Sequence, residues 1–183
     1  MSIIFRRAAY SSKLEFNMEI IYRNATEADL DEVCELIRSA ISNMEKENIF
    51  QWDEIYPARE DFARDIARNE LVVGVIEDKI AVIYTINTEC EEEYQGGKWK
   101  YPNSEFRVVH RLCVHPKYQN QGIGGFTLKH IEEELKKQNV DSIRLDAFCN
   151  NPYSLRMYSH HGYEQVGFAN WRKGRFVLLE KHT

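Results

Sequence analysis

The sequence predicts a single α/β domain of the mixed-sheet (α+β) kind, and three observations carry that expectation. Strand-like runs alternate with segments of helical periodicity in the order β α α β β β α β α β β, one mixed sheet flanked by about four helices. The 183 residues suit one domain and suffice to bury a core without disulfides or a structural metal. No internal repeat or low-complexity tract divides the chain.

Each element has a local reason. Ile20 to Arg23 reads as a first strand, and Thr26 with Glu27 and Asp29 behind it reads as a helix start, acidic residues facing the positive end of the dipole. Leu30, Val33, Cys34, Ile37 and Ile41 then recur at helical spacing. Pro57 opens a second helix around Glu60 to Arg68. Leu71 to Ile76 and Ile80 to Ile86 form a hairpin across Glu77-Asp78-Lys79, and a loop runs from Glu89 to Ser104. Phe106 to Val114 is a long strand stopped by His115-Pro116, with His115 as a turn residue. A helix follows from Gly122, Gly124 and Gly125 to about Gln138. Ser142 to Phe148 alternates as a strand, Pro152 to His161 is the last helix, and short strands lie near Tyr163 to Val166 and Phe176 to Glu180. Residues 1–17, with Arg6, Arg7, Ser11 and Ser12, read as a leader or N-terminal extension of open role, and the domain pattern spans 18–183.

Composition removes several classes of function. Acidic residues outnumber basic ones by 29 to 24, giving a net charge of −5, which argues against nucleic acid as a partner. No long uncharged apolar run is present, so no membrane span is expected. The four cysteines, Cys34, Cys90, Cys113 and Cys149, form no CxxC pair. They read as apolar filler in a reducing, cytoplasmic protein with neither disulfides nor a metal site.

The chemistry concentrates where the Phe106–Val114 strand enters its helix through Gln119-Asn120-Gln121-Gly122-Ile123-Gly124-Gly125. Closely spaced glycines let a ligand approach the backbone. The unpaired amides of a first helical turn, with the helix dipole behind them, suit a phosphate or pyrophosphate. The segment lacks the Gly-Lys-Ser/Thr ending of a Walker A loop and the last glycine of the dinucleotide fingerprint. Alone, such a string is a weak signal.

Downstream stand Arg144-Leu145-Asp146, then Asn151, Ser154, Tyr158, Gly162 and Tyr163. Taken with the loop Gln119 to Gly124, this resembles the GCN5-related N-acetyltransferase (GNAT) family, from Ile20 to about Glu180. Gln51-Trp52, Tyr56-Pro57 and His110-Arg111-Leu112 resemble a bacterial branch of largely unassigned substrate. The resemblance implies the acyl-CoA N-acyltransferase fold, splayed between the Phe106–Val114 and Ser142–Phe148 strands, and acetyl-CoA as co-substrate. Its pantetheine arm would pair with the backbone of Leu112 and Val114, and its pyrophosphate would rest on the amides from Asn120 to Gly125. A backbone N–H near Val114 would polarise the thioester carbonyl. Asn151 would contact the pantetheine or cap the last helix, and Ser154 stands where a small alanine is common.

The implied reaction is acetyl transfer to a primary amine of a small molecule or peptide by direct attack in a ternary complex. A non-catalytic acyl-CoA sensor is the alternative. A primary amine near pKa 10.4 must lose its proton, at a cost of about 4–5 kcal/mol at pH 7, so a base is expected. His110, two and four residues from Leu112 and Val114, shares their face by strand alternation and is the candidate; a hydrogen-bonded structural role is its other reading. Glu105 and Asp146 are rivals. The resemblance makes Tyr158 the acid that protonates the departing thiolate. Gln51, Trp52, Tyr56 and Asp146, with Trp99 and Tyr101 from the long loop, are the candidate acceptor site; packing between the two helices is the other reading of Trp52 and Tyr56. The run Glu91 to Glu93 is either a solvated face or a lure for a cationic amine. Family members are often dimers, so the resemblance leaves a homodimer open, and no exposed apolar stripe in the sequence marks an interface.

Overall fold

A computed structural model describes residues 3–6, as backbone, and residues 19–183. Among the described residues, eight strands form one sheet in the order β1-β2-β3-β4-β5-β6-β8-β7. These are β1 (Ile3–Arg6), β2 (Glu19–Asn24), β3 (Leu71–Ile76), β4 (Lys79–Asn87), β5 (Phe106–Val114), β6 (Ser142–Phe148), β7 (Glu164–Trp171) and β8 (Gly174–His182). Four helices flank it: α1 (Leu30–Lys46), α2 (Arg59–Ala67), α3 (Ile123–Lys137) and α4 (Pro152–His160). The expected order of elements holds from β2 onward. The strand β1 lies inside the 1–17 segment and pairs antiparallel with β2, Ile3 opposite Tyr22.

Two apolar layers cover the sheet. On one face α1 buries Val33, Leu36, Ile37 and Ala40, at the i, i+3, i+4, i+7 spacing of one helical stripe, and packs with Phe62 of α2 over Leu71, Val73 and Ile83. On the other, Leu128, Ile131 and Leu135 of α3 and Tyr158 of α4 cover Val82, Ile143 and Leu145. Thr26 stands at an N-cap as expected, that of the short 3-10 turn Glu27–Asp29 leading into α1, its N–H and Oγ1 donating to Asp29 at 2.7 and 2.8 Å, while Arg23 grips both oxygens of that carboxylate. Pro57 stands outside α2 rather than at its first turn. The Tyr56–Pro57 bond is cis, and Asp61 of the helix accepts from the Ala58 N–H at 2.8 Å.

The last two strands run longer than expected. Residues 167–175 are polar and glycine-rich, without the apolar alternation that announces a strand, yet they complete an edge hairpin turning at Arg172-Lys173. A side chain at Gly167 would stand 3.0 Å from the carbonyl oxygen of Gly96, so glycine there lets the long loop close on β7.

Between β5 and β6 the sheet opens. Parallel pairing runs only from Phe106–Ser142 to Val109–Leu145, although both strands continue. On its other side β5 steps from His110 opposite Thr85 to Cys113 opposite Ile83, one residue more than β4 supplies. That residue is a bulge at Arg111, whose φ of 51° lies in the left-handed region.

Candidate active site

The bulge sets which side of the sheet each β5 residue serves. Val109, Leu112 and Val114 pack with the α3–α4 layer, whereas Val108 and Cys113 pack on the opposite face. The inserted residue reverses the alternation, so His110 does not share a face with Leu112 and Val114, contrary to the strand-alternation expectation. The His115 N–H donates to Ala81 of β4 at 2.8 Å, so the amide of Val114 and, two residues earlier, that of Leu112 face the gap toward β6.

A cleft of about 660 Å³ fills this gap. It is lined by Leu112, Val114, Gln119, Asn120, Gly122, Ile123, Gly124, Gly125, Asn151 and Tyr158, all singled out by sequence. Gln121 is the exception: its side chain turns away and donates to the Lys117 carbonyl at 2.9 Å. Gly122, at φ 78°, turns the chain into α3, and no side chain caps that helix. The amides of its first turn therefore face the cleft without intrahelical partners. Gln119 shapes the turn, donating to the Val114 carbonyl at 3.0 Å and accepting from Asn43 at 3.2 Å. Asn151 caps α4, accepting from the Ser154 N–H at 3.2 Å, and its amide nitrogen donates to Gln51 at 3.0 Å. Sequence reasoning missed Met157, His160 and His161, which line the cleft from α4. A Cβ at Gly125 would stand 2.6 Å from His161 Nε2, so α3 and α4 meet closely there. Their helical spacing from Ser154 was the available signal.

A second cavity, of about 250 Å³, opens on the α1–α2 face. Gln51, Trp52, Tyr56 and Asp146 line it as expected, together with His110, Arg111, Tyr94, Trp171 and Phe176. Trp99 and Tyr101 do not. Trp99 donates its indole N–H to the Tyr94 carbonyl and stacks 4.4 Å from Arg144, whose guanidinium also donates to the Tyr101 carbonyl and to Glu180. Both belong to a buried structural cluster around Arg144. Glu105 is exposed and paired with Arg107, and it lines neither cavity. Glu91 reaches the second cavity, while Glu92 and Glu93 are solvated.

Gln51, Trp52, Leu112, Asp146 and Tyr158 border both cavities, so the two spaces meet at these side chains. Burial pushes the Asp146 carboxyl up to about 6, against the hydrogen bond it accepts from Tyr94 at 2.9 Å. Burial, then the neighbouring Asp146, raises the Tyr158 phenol well above its ordinary value, so it stays protonated at neutral pH. His110 behaves oppositely. Burial, and then the Arg111 charge, lower it to about 4. Its Nε2 lies 3.0 Å from Asn87 Oδ1, and Asn87 gives its own amide hydrogens to Glu70, so His110 is the donor. Arg111 bonds Tyr56 at 2.9 Å and pairs with buried Asp65, which also accepts from Thr85 at 2.7 Å.

Among the described residues no group of His, Cys, Asp or Glu is placed to hold a metal ion, and no helix is long and apolar enough to cross a membrane.

The sheet is thus splayed, with a glycine-led helix beside the gap and the buried Tyr158 and half-buried Asp146 across it. The sequence profile of the Acetyltransferase (GNAT) family matches residues 29–163, and the chain belongs to that family. A 59-residue stretch is 29% identical to the [ribosomal protein bS18]-alanine N-acetyltransferase of Escherichia coli strain K12, covering 32% of this chain and 40% of that protein. The chain thus matches less than half the length of that relative. A GNAT-family acetyltransferase structure from Streptococcus agalactiae superimposes with a TM-score of 0.80 at 22% identity, over 90% of this chain and 95% of that one. The PaiA N-acetyltransferase of Thermoplasma acidophilum, solved with coenzyme A, gives a TM-score of 0.68 at 17% identity, over 91% and 100%. The fold is that of these acetyltransferases.

Proposed function

We propose that the protein moves the acetyl group of acetyl-CoA to a primary amine by direct attack, with both substrates bound at once. The observation that carries this is the wall of Gln51, Trp52, Leu112, Asp146 and Tyr158 common to the two cavities. A thioester entering from one side and an amine from the other would meet there without an enzyme-bound acyl group. The cleft residues fit acetyl-CoA: uncapped amides at the α3 N-terminus suit its pyrophosphate. The inward amides of Leu112 and Val114 suit the pantetheine and the thioester oxygen. Acetyl-CoA supplies the activated carbonyl.

Asp146 takes the base role ahead of His110. A carboxylate near 6 is ionised at neutral pH yet basic enough to draw a proton from a bound ammonium, whereas His110 is a much weaker base and spends a ring nitrogen on Asn87. The ammonium sheds two protons. Asp146 carries one to solvent, and the second restores the Tyr158 phenol, whose own proton goes to the departing sulfur as the carbon–sulfur bond breaks. The test is thiol release and product mass with acetyl-CoA over a panel of amines and peptides, comparing the wild type with Tyr158→Phe. Coenzyme binding without transfer to any acceptor would overturn the reading in favour of a non-catalytic sensor.

A further inference from the structure

The acceptor cavity has a chemistry of its own. Trp52, Tyr56, Tyr94, Trp171 and Phe176 wall it, and Trp171 is braced edge-on against Phe176 with ring centres 5.0 Å apart. Its volume of about 250 Å³ lies below the ~300–1,000 Å³ usual for sites of drug-sized ligands. One residue links two of the segments that line it. Asp53, from the loop between α1 and α2, accepts from Arg172 at 2.7 and 2.8 Å and from Lys173 at 3.1 Å, joining that loop to the β7–β8 turn.

The charges inside are not balanced. Arg111 is paired with Asp65, and Arg172 and Lys173 share Asp53. Glu91 and Asp146 have no ion-pair partner among the described residues. Three cations and two carboxylates line the cavity; counted with Asp65 and Asp53, which pair with those cations from outside the lining, the group carries one excess negative charge. Aromatic faces with an uncompensated carboxylate favour a cation carried on a flat apolar body. A space of about 250 Å³ suits a small molecule and leaves little room for an extended peptide.

We infer that the acceptor is a compact monocationic amine bearing an aromatic ring, and not the N-terminus of a protein. This rests on the transferase reading of the same site. The bridge formed by Asp53 is a positioning element that holds the aromatic walls together and shuts out longer chains.

The experiment measures kcat/KM of the full-length protein with acetyl-CoA for 2-phenylethylamine, n-butylamine, spermidine and a short peptide beginning with alanine. Coenzyme A binding is measured separately by calorimetry. Loss of the ring is expected to lower kcat/KM at least about tenfold, equivalent to ~1.4 kcal/mol, and the peptide to fall further. Asp53→Ala is expected to raise KM for 2-phenylethylamine with little change in kcat and to narrow its advantage over the peptide, leaving coenzyme affinity as it was. Transfer to the peptide at a rate equal to or above that of the aryl amine would overturn the acceptor inference while leaving the transferase reading intact. Coenzyme binding with no transfer to any of the four would overturn the acceptor inference, and only failure across the wider panel of amines and peptides would overturn the transferase reading as well.

Discussion

Replacing Asp146 by asparagine should make the protein more stable and less active. A carboxyl held near 6 rather than at 3.8 is disfavoured as an anion by the fold. The difference corresponds to up to about 3 kcal/mol of stability withheld at neutral pH. Because the folded value lies above the unfolded one, the penalty is absent below about pH 4, where both states are protonated, grows through the interval to 6, and is complete above it. The amide introduced by Asp146→Asn would keep an oxygen for the Tyr94 hydroxyl and carry no charge. For a domain of this length, 3 kcal/mol corresponds to a rise in Tm of roughly 6–12 °C at pH 7.5, shrinking toward zero at pH 4. Acetyl transfer by the same variant should fall about 100-fold, the usual scale for losing a general base. In the wild type, kcat/KM should drop about tenfold between pH 7 and pH 5 as the carboxylate is protonated. Melting curves at both pH values with the thiol-release assay measure all three. An Asp146→Asn variant melting no higher than wild type at pH 7.5 would refute the burial argument, and full activity would remove Asp146 from the chemistry.

Other outcomes follow from the same geometry. Tyr158→Phe should lower kcat by about 10–100-fold with coenzyme affinity unchanged by calorimetry, since only the acidic proton is lost. His110→Ala should leave the acid limb of the rate profile near pH 6, because His110 titrates near 4; a displaced limb would return the base role to it. Gly124→Glu should abolish coenzyme binding, for even a Cβ there stands 2.8 Å from Met157 Sδ at the mouth of the cleft. Glu180→Leu should destabilise the fold by about 3–5 kcal/mol in denaturant titrations, since it strands the buried Arg144 without its counter-charge.

The elements were legible because their signals are local. The α1 stripe, the Pro152 start of α4 and the glycine turn into α3 all follow from spacing within a dozen residues. So did most of the larger cleft, proposed for the coenzyme, whose residues lie largely on one strand–turn–helix unit. The second cavity was only half legible. Gln51, Trp52, Tyr56 and Asp146 were found, but Trp171, Phe176 and Tyr94 come from distant segments that only the folded sheet brings together. Trp99 and Tyr101 misled because an aromatic in a loop advertises no direction, and here both serve Arg144. The error over His110 has a sharper cause. Strand alternation assumes an uninterrupted ladder, and a bulge built on an arginine rather than a glycine carries no warning in the sequence.

On the proposed reading, the wall that the two cavities have in common would also make the protein a target for a single tethered ligand. A molecule in which an aryl amine is joined through a short stable link to the sulfur of coenzyme A would fill both spaces without crossing bulk solvent. Each half would then present the other at millimolar effective concentration, and the conjugate should hold on far more tightly than either fragment alone.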